Sequence, residues 1–445
     1  MQTRYIQREN LLLFIGDIVL ALAGYYIALT IGAGLKAVEF SSWQRLLAGV
    51  FIPGTYIFMF YLADMYDGEI RLKSPNYLIR FLSAVAMAAL VGAAIFLMLP
   101  SFGSIVLISF LSALMAGTLT YFWRFAFERL FRAIWKGKRI FILTGPDGCL
   151  NYAAMGEAMN EASRFNFIGA GFKEGPALEG MSSFPDAIII DRMILKQGDD
   201  ALSKMLEHKF RGTSILDAAT FLEAWTGKIH LRYVDDIWFI NAKIRGVRKG
   251  LYNRIVKPLS DLVLSAAGLI LLSPIALLAA MLIKIDSEGP VLYRQSRVGG
   301  GGKAFELIKF RSMRIDAESN GAVWAELEDP RTTRVGRVIR KLRIDEIPQM
   351  WNVLKGEMSF VGPRPERPEF VERLNQAIPY YSLRHSVKPG ITGWAQVNYS
   401  YGASVKDARE KLQYDLYYVK NQSFILEILI LIKTIKVVIF GRGAR

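Results

Sequence analysis

Residues Leu259–Ile285 read LSDLVLSAAGLILLSPIALLAAMLIKI, an apolar stretch long enough to cross a bilayer as one helix. Ser273-Pro274 lies near its centre, and proline removes a backbone donor and clashes with the preceding turn, which predicts a bend. Cationic residues flank both ends: Arg254 and Lys257 before, Lys284, Arg294 and Arg297 after. Positive flanks favour the cytoplasm, so we expect helix 259–285 to be re-entrant. The alternative is a kinked fifth span, since proline is tolerated in transmembrane helices.

Four further apolar segments precede this stretch, at about 11–31, 46–63, 78–99 and 104–123. Each has roughly the 20 residues that a membrane-crossing helix needs. Hydrophobic residues make up 52% of the chain and its mean hydropathy is +0.25, which also indicates membrane segments. Lysine and arginine lie mainly before the first segment, between the second and third, and after the fourth. The positive-inside bias therefore predicts a four-helix transmembrane domain, 1–137, with both ends in the cytoplasm.

The region 138–245 has the pattern of a soluble α/β domain. Two short apolar runs, Arg139–Thr144 and Ala187–Asp191, are typical of buried strands, and the first leads into the glycine turn Gly145–Gly148. Strand, glycine turn and helix suggest a Rossmann-like fold, but the turn lacks the three glycines of a dinucleotide-binding fingerprint. We therefore expect a degenerate Rossmann-like domain with a structural, regulatory or dimerising role, and a homodimer is a hypothesis.

The net charge of +15 indicates an anionic partner, either phospholipid headgroups or a polyanionic substrate. The positive charge clusters around the membrane segments without a recognisable nucleic-acid module, so we expect no nucleic acid. One cysteine and three histidines far apart in sequence exclude an intramolecular disulfide and argue against a cysteine or histidine metal site.

The remaining part, 250–445, contains the densest motifs. Residues Arg331–Gln349 read RTTRVGRVIRKLRIDEIPQ, so cations precede the acidic pair Asp345-Glu346. If this segment is helical, four of the cations form one face (Arg334, Arg337, Arg340 and Lys341). A positive field allows a carboxylate to approach a negatively charged pyrophosphate. One carboxylate could then attack phosphorus as a covalent nucleophile while the other holds a divalent metal.

Two loop motifs follow the acidic pair. In Gly362–Pro368, GPRPERP, prolines fix the backbone on both sides of Arg364, so its guanidinium can engage phosphate at low entropic cost. In Lys388–Val397, KPGITGWAQV, glycine turns, an aromatic side chain and an amide could receive a base or a sugar. Residues Ser423–Phe440 suggest a short interfacial helix at the C-terminus.

Taken in order, five motifs resemble those of the bacterial sugar transferases, the monotopic phosphoglycosyl transferases. The motifs are KFRSM (Lys309–Met313), IDEIPQ (Ile344–Gln349), GPRPERP (Gly362–Pro368), PGITGWAQV (Pro389–Val397) and GRGA (Gly441–Ala444). The resemblance covers 250–445. The four helices and the α/β domain are similar to the large subgroup by architecture alone. The expected fold is thus a membrane α-helical bundle, a Rossmann-like α/β domain and an α-rich monotopic catalytic domain with a re-entrant helix.

The resemblance implies a two-step reaction on a UDP-hexose at the cytoplasmic face of the bacterial inner membrane. Asp345 would attack the β-phosphate, release UMP and carry the phosphosugar until undecaprenyl phosphate collects it. Asp345 and Glu346 would hold Mg²⁺ or Mn²⁺. Implied phosphate-binding residues are Lys309, Arg311, Arg340 and Arg364; Arg367, Trp394 and Gln396 would line the nucleotide or sugar pocket. The product would initiate an exopolysaccharide, capsule or O-antigen repeat unit, and the sequence does not reveal which hexose is used.

Two other functions are weighed against this one. A non-catalytic membrane scaffold or sensor for polysaccharide assembly predicts no dependence on Asp345. A membrane-tethered nucleotide-sugar dehydratase or epimerase needs an intact glycine fingerprint for NAD, which Gly145–Gly148 does not provide.

Overall fold

The computed structural model describes residues 3–34, 42–63, 65–66, 75–95, 102–135, 139–143, 166–171, 185–191, 199–248, 250–314, 317, 329–399, 402 and 404–439. The chain divides into two compact units, an N-terminal unit Met1–Trp225 and a C-terminal unit Thr226–Arg445. The terminal motif Gly441–Ala444 and the glycine turn Gly145–Gly148 lie outside the described residues.

The N-terminal unit begins with four long apolar helices where the sequence predicts them. They are α1 (Thr3–Gly34), α2 (Ser42–Leu62), α3 (Pro75–Ala94) and α4 (Phe102–Trp135). Each contains a stretch of 18 to 26 residues that is long and apolar enough to cross a membrane. The protein is therefore mainly helical, with helices compatible with a membrane and only small sheets.

A buried ion pair joins the first and fourth helices. An Arg124 Nη2 atom lies 2.5 Å from a carboxylate oxygen of Asp17, and both side chains are at most 5% exposed. Arg124 Nη1 donates to the carbonyl of Met65 at 2.7 Å, just beyond the end of α2. The guanidinium also lies 5.1 Å from the centre of the Tyr66 ring. A charged pair inside an apolar bundle is expensive unless both members stay together, so it specifies how these helices pair.

The second part of the N-terminal unit is a four-stranded parallel sheet with the order β2-β1-β3-β4. Its elements are β1 (Arg139–Leu143), β2 (Asn166–Gly171), β3 (Ala187–Ile190), α5 (Asp199–Phe210), β4 (Ser214–Asp217) and α6 (Ala218–Thr226). Ile142 and Ile189 pair in register and are fully buried. The two predicted strands are confirmed as β1 and β3, whereas the Rossmann-like interpretation of 138–245 stays a prediction.

The C-terminal unit combines short helices with two small sheets. Its helices are α7 (Asp236–Asn241), α8 (Lys257–Asp286), α9 (Arg334–Lys341), α10 (Gln349–Leu354), α11 (Pro368–Ala377), α12 (Trp394–Asn398), α13 (Val405–Asn421) and α14 (Phe424–Ile439). Its strands are β5 (Leu292–Val298) and β6 (Ala304–Phe310), an antiparallel hairpin, and β7 (Ser359–Val361) and β8 (Gly390–Thr392), a parallel pair.

Residues 226–245 fall within the predicted α/β domain but pack against α13. The Ile229 N–H donates to the carbonyl of Gln413, and the Arg245 N–H donates to the carbonyl of Lys420, both at 2.9 Å. Contacts thus join residues 226–248 to the C-terminal unit. The boundary between the two compact units, after Trp225, therefore precedes residue 245, where the predicted α/β domain ends.

Helix α8 is continuous from Lys257 to Asp286 with Pro274 inside it. Proline cannot donate to the carbonyl of Ile270 one turn earlier, and the Ser273 hydroxyl donates to that carbonyl instead, at 2.8 Å. Many side chains of α8 are exposed and apolar, including Leu271, 75% exposed. With the preceding turn, the helix is a fifth candidate span, Tyr252–Asp286. Its bend and re-entry stay predictions.

Both ends of α8 are bonded to the rest of the C-terminal unit. Near its start, a carboxylate oxygen of Asp261 accepts from the Phe360 N–H at 3.0 Å and from the Lys257 ammonium at 3.0 Å. At its end, Asp286 accepts from the Val335 N–H at 2.9 Å in the first turn of α9. One membrane-type helix therefore holds β7 at one end and α9 at the other.

The pairing of β7 and β8 depends on glycine. A Cβ atom on Gly390 would lie 2.0 Å from the backbone nitrogen of Gly362, closer than any side chain can approach. The Gly362 N–H donates to the carbonyl of Thr392 at 2.8 Å. This close approach aligns the start of the proline-rich turn with β8.

Candidate active site

A small apolar cluster lies beneath the acidic pair. Phe310 at the end of β6, Ile339 in α9 and Ile347 just after the acidic pair are all less than 10% exposed. They pack against Ala279 and Ile283 of α8. The C-terminal half of α8 thereby fixes the three segments that carry Lys309, Arg340 and Asp345-Glu346.

The four cations of α9 differ in how exposed their side chains are. Arg334, Arg337 and Lys341 are exposed, as expected for one cationic face. Arg340 is partly buried, and its Nη1 donates to the Thr332 hydroxyl at 3.1 Å. Arg340 lies one turn after buried Gly336, at the edge of this face, so the prediction that all four cations share one face stays a prediction for Arg340.

The turn after α9 bends at Arg343, which has a φ of 58°. This left-handed conformation commonly ends a helix, but glycine is the usual residue there. Here the side chain has a use, since Arg343 Nη1 lies 3.2 Å from Glu346 Oε1. Ile344–Glu346 then forms a single 3₁₀ turn that carries both carboxylates.

Glu346 is held by two guanidinium groups. Its Oε1 accepts from Arg343 and from Arg364 Nη2, the latter at 2.9 Å. Burial opposes ionisation of this carboxyl, but Arg364 and Arg343 outweigh burial and lower its pKa. Glu346 is therefore ionised at neutral pH.

Asp345 has the opposite electrostatic balance. Burial and the adjacent negative charge of Glu346 raise the pKa of Asp345 to about 6, although Lys309, Arg364 and Arg343 act in the other direction. Two neighbouring carboxyls whose pKa values diverge are typical of sites in which each has its own role. The less stabilised anion, Asp345, is the better candidate for a nucleophile.

Lys309 contributes a cation from β6. Its Nζ lies 5.1 Å from the centre of the Tyr293 ring on the neighbouring strand. Burial and Arg297 lower the pKa of Lys309 to about 8, with smaller effects from Arg364 and Arg340. The pairwise effects on these groups bring four predicted residues, Lys309, Arg340, Asp345 and Arg364, into one electrostatic cluster.

Arg297 belongs to the same cluster, but the sequence indicated it only as a flank of the apolar stretch. The register of the β5–β6 hairpin, in which Arg297 lies opposite Phe305, would have been the signal for its position. Its Nη1 donates to the carbonyl of Pro365 at 3.0 Å, inside the proline-rich turn.

A buried ion pair, Arg384–Asp415, holds the backbone at Arg364, and the sequence motifs do not predict this pair. Arg384 Nη2 donates to the carbonyl of Arg364 at 2.9 Å and lies 2.8 Å from a carboxylate oxygen of Asp415. Arg384 is 5% exposed and Asp415 is 1% exposed. The only sequence signal is that Asp415 lies on the buried face of α13 between Leu412 and Val419.

Three other predicted residues make contacts of a different kind. Arg311 is buried and donates Nη2 to the carbonyl of Ser287 at 2.8 Å, while its Nε and Nη1 have no hydrogen-bond partner among the described residues. The Trp394 indole donates to the carbonyl of Gly227 at 2.7 Å, and the Gln396 amide donates to the carbonyl of Ile391 at 3.0 Å. Arg367 lies directly before α11. Their roles at phosphate, nucleotide or sugar stay predictions.

The residues fit a magnesium ion with few protein ligands. Over the described residues, no group of three or more histidine, cysteine or acidic side chains could hold a metal. Mg²⁺ does not require such a group, because one or two carboxylates, water and substrate phosphates complete its shell. Asp345 and Glu346 supply that kind of hard oxygen donor.

The part of the chain that carries this site is similar to known proteins. Residues 252–441 match the family described as Bacterial sugar transferase. A UDP-N-acetylgalactosamine-undecaprenyl-phosphate N-acetylgalactosaminephosphotransferase of Aeromonas hydrophila is 51% identical over 42% of this chain and 44% of its own length. A UDP-glucose:undecaprenyl-phosphate glucose-1-phosphate transferase of Escherichia coli (strain K12) is 36% identical over 53% of this chain and 52% of its own length.

A third relative is covered almost completely. The exopolysaccharide production protein PSS of Rhizobium leguminosarum bv. phaseoli is 39% identical over 41% of this chain and 94% of its own length. The chain therefore belongs to the bacterial sugar transferase family. It spans about half the length of the Aeromonas and Escherichia relatives, and the family match, 252–441, lies within the C-terminal unit.

Proposed function

We propose that the protein transfers a hexose-1-phosphate from a UDP-sugar to undecaprenyl phosphate through a phosphosugar on Asp345. The observation that carries this proposal is the pair Asp345-Glu346, in which an easily protonated carboxyl adjoins one held ionised by two arginines. The names of the relatives support the substrate classes, a UDP-sugar and undecaprenyl phosphate.

The first step is a substitution at the β-phosphorus of the UDP-sugar. A carboxylate oxygen of Asp345 forms a bond to this phosphorus, and the bond from phosphorus to the oxygen bridging the two phosphates breaks. UMP leaves with that bridging oxygen and its electron pair. In the second step a phosphate oxygen of undecaprenyl phosphate attacks the same phosphorus, and Asp345 leaves as a carboxylate.

The cations around Asp345 lower the barrier to both steps. An anionic nucleophile and an anionic phosphate repel each other, and preorganised positive groups offset this repulsion without reorganising. Lys309, Arg340 and Arg364 occupy the cluster in which the phosphates would bind, and Arg343 with Arg364 keeps Glu346 ionised. When bound by Asp345 and Glu346, Mg²⁺ would neutralise further phosphate charge.

The proposal places this chemistry at the cytoplasmic face of the inner membrane, with α1–α4 as transmembrane helices and α8 re-entrant. Contacts of the C-terminal unit with both ends of α8 support re-entry, since a spanning helix would carry its two ends to opposite sides. A C-terminal tag that is protected from external protease in intact spheroplasts supports this topology, and a tag cleaved there overturns it. The product would start a polysaccharide repeat unit, as the name of the Rhizobium relative suggests.

The reaction is tested by UMP release from a panel of UDP-hexoses and UDP-N-acetylhexosamines, in membranes with undecaprenyl phosphate and Mg²⁺. Asp345→Asn should lower the rate of UMP release at least about a thousandfold, because a covalent nucleophile is lost. Glu372→Gln is the matched control, since Glu372 is an exposed carboxylate on α11. Without acceptor, one equivalent of UMP per protein should appear in a burst.

The outcomes separate the alternatives. Equal release from wild type and Asp345→Asn would show that Asp345 is not the nucleophile. No release from any sugar would favour the scaffold or sensor. Release without a burst would favour direct transfer between the two substrates.

A further inference from the structure

We propose that residues 237–248 and 250–256 form an interfacial anchor, a surface that docks on anionic phospholipid headgroups beside α8. The observation is that several exposed large apolar side chains and exposed cations lie close together along the chain, immediately before a helix that is apolar enough to enter a membrane. This surface lies outside the catalytic cluster, and most of it, up to residue 251, precedes the part matched by the family, which begins at residue 252.

The apolar members of the interfacial anchor are unusually exposed. They are Ile237 (57%), Ile240 (80%), Val247 (51%), Leu251 (71%) and Ile255 (53%). Single exposed apolar side chains are common, but a contiguous set within 20 residues marks an interaction surface. The cost of leaving this area in water is removed if it lies among headgroups and upper acyl chains.

The cations of the anchor select the partner. Lys243, Arg245, Arg248 and Arg254 are all exposed. Lys243 and Arg248 also line an open groove of about 530 Å³ whose other walls include Ile240, Ile244 and Val247. A groove with apolar walls and a cationic rim matches an amphipathic molecule with an anionic head. An anionic phospholipid has that chemistry, and juxtamembrane lysine and arginine side chains are attracted to such lipids.

The other side of the segment is fixed to the protein, so the interfacial anchor has a defined direction. Trp238 is buried beneath Lys420, whose Nζ lies 4.7 Å from its ring centre, and Phe239 packs on Tyr380 with ring centres 4.7 Å apart. Asn253 donates to the carbonyl of Arg245 at 2.7 Å, which joins this segment to the turn that begins α8. Continuity with α8 therefore puts the anchor at the membrane surface.

The experiment uses the full chain in lipid nanodiscs. Cys149 is the single cysteine, so a Cys149→Ser background accepts one new cysteine at a time for a nitroxide label. Labels go on Ile240→Cys and Val247→Cys, with Leu271→Cys on α8 as the membrane reference. Val405→Cys is the matched water reference: it is 43% exposed and begins α13, about 24 Å along the helix from the end that contacts the anchor.

The expected result is that oxygen, which concentrates in lipid, relaxes the labels at 240 and 247 more than a water-soluble nickel chelate does. Adding phosphatidylglycerol to phosphatidylcholine discs should increase this preference. Lys243→Gln with Arg248→Gln should abolish that increase, whereas Lys406→Gln with Arg409→Gln, exposed cations on α13, should keep it.

Three results would overturn the anchor. Labels at 240 and 247 could behave like the label at 405 while the label at 271 lies in lipid. They could be shielded from both reagents, which would mean that protein, either a second copy or the α/β domain, covers the surface. The preference could also be equal in discs with and without phosphatidylglycerol. If the label at 271 instead lies in water, the membrane position of α8 is refuted, and the anchor is refuted with it. The proposed reaction is tested separately by UMP release, so its failure is distinguishable from the failure of the anchor.

Discussion

At the scale of single residues, the proposed reaction places requirements on two groups with displaced pKa values. Asp345 must be ionised to attack phosphorus, and its pKa is raised to about 6 by burial and Glu346. Lys309 must be protonated to bind phosphate, and its pKa is lowered to about 8 by burial and Arg297. The free protein is thus fully competent only between these two values.

We therefore predict a bell-shaped pH dependence of kcat/KM for UMP release. The value should fall about tenfold per pH unit below about 6 as Asp345 is protonated, and again above about 8 as Lys309 loses its proton. Lys309→Arg should remove the alkaline limb, because arginine stays protonated. Lys303→Arg, at an exposed lysine, is the control; an alkaline limb that survives in both variants would contradict the assignment.

Arg343 combines an unfavourable backbone with a useful side chain. Arg343→Gly should relieve about 1 kcal/mol of left-handed strain, so the melting temperature should hold or rise. UMP release should nevertheless fall about tenfold, since Glu346 loses one of two charged partners. Arg343→Lys keeps the charge and the strain and should retain more activity. If stability and activity of Arg343→Gly fall together, the residue has only a structural role.

At the scale of elements, the β7–β8 pair is a tightly constrained feature near the site. Gly390→Ala should cost about 3 kcal/mol in the free energy of unfolding, because backbone atoms, which cannot rotate away, occupy the place of the new methyl group. Thermal unfolding of the full chain measures this cost. Gly250→Ala is the control in the same unit, with no atom within 4 Å of the added carbon. An unchanged Gly390→Ala melt would disprove the close packing.

Elements whose signal is local were predictable from the sequence. The apolar lengths of α1–α4 and α8 and the runs of β1 and β3 depend on neighbours along the chain. The limit of the C-terminal unit was not predictable, because 226–245 has an ordinary soluble composition, and its assignment depends on contacts with distant parts of the chain such as α12 and α13.

The candidate site shows the same division. The motifs predict Asp345, Glu346 and Arg364 as site residues. Arg297 and Arg384 reach the candidate site only when a hairpin and a distant segment fold against it. Trp394 shows the reverse case. Its place between glycine turns predicts a ligand contact, yet in the folded chain its N–H is bonded to Gly227, far away in sequence.

At the scale of the whole molecule, the Asp17–Arg124 pair tests whether the first and fourth helices assemble through charge. Asp17→Leu should cost about 3–5 kcal/mol in unfolding by denaturing detergent, because Arg124 is left buried without its counterion. Adding Arg124→Met to Asp17→Leu should recover most of that loss. A double variant as unstable as the sum of the two single ones would mean that the pair is not coupled.

The attachment of α8 at Asp261 and at Asp286 has a consequence for how such sequences can diverge. Inserting or deleting one residue between these points would turn one end of the helix by about 100° relative to the other and shift it by about 1.5 Å. The position of β7 relative to α9 would then change. Arg364, which follows β7, and Asp345, which follows α9, would be displaced relative to each other. Exchanging one exposed apolar side chain of α8 for another would leave the bonds at both ends intact, whereas a change in the residue count of the helix would disturb the chemistry that those bonds support.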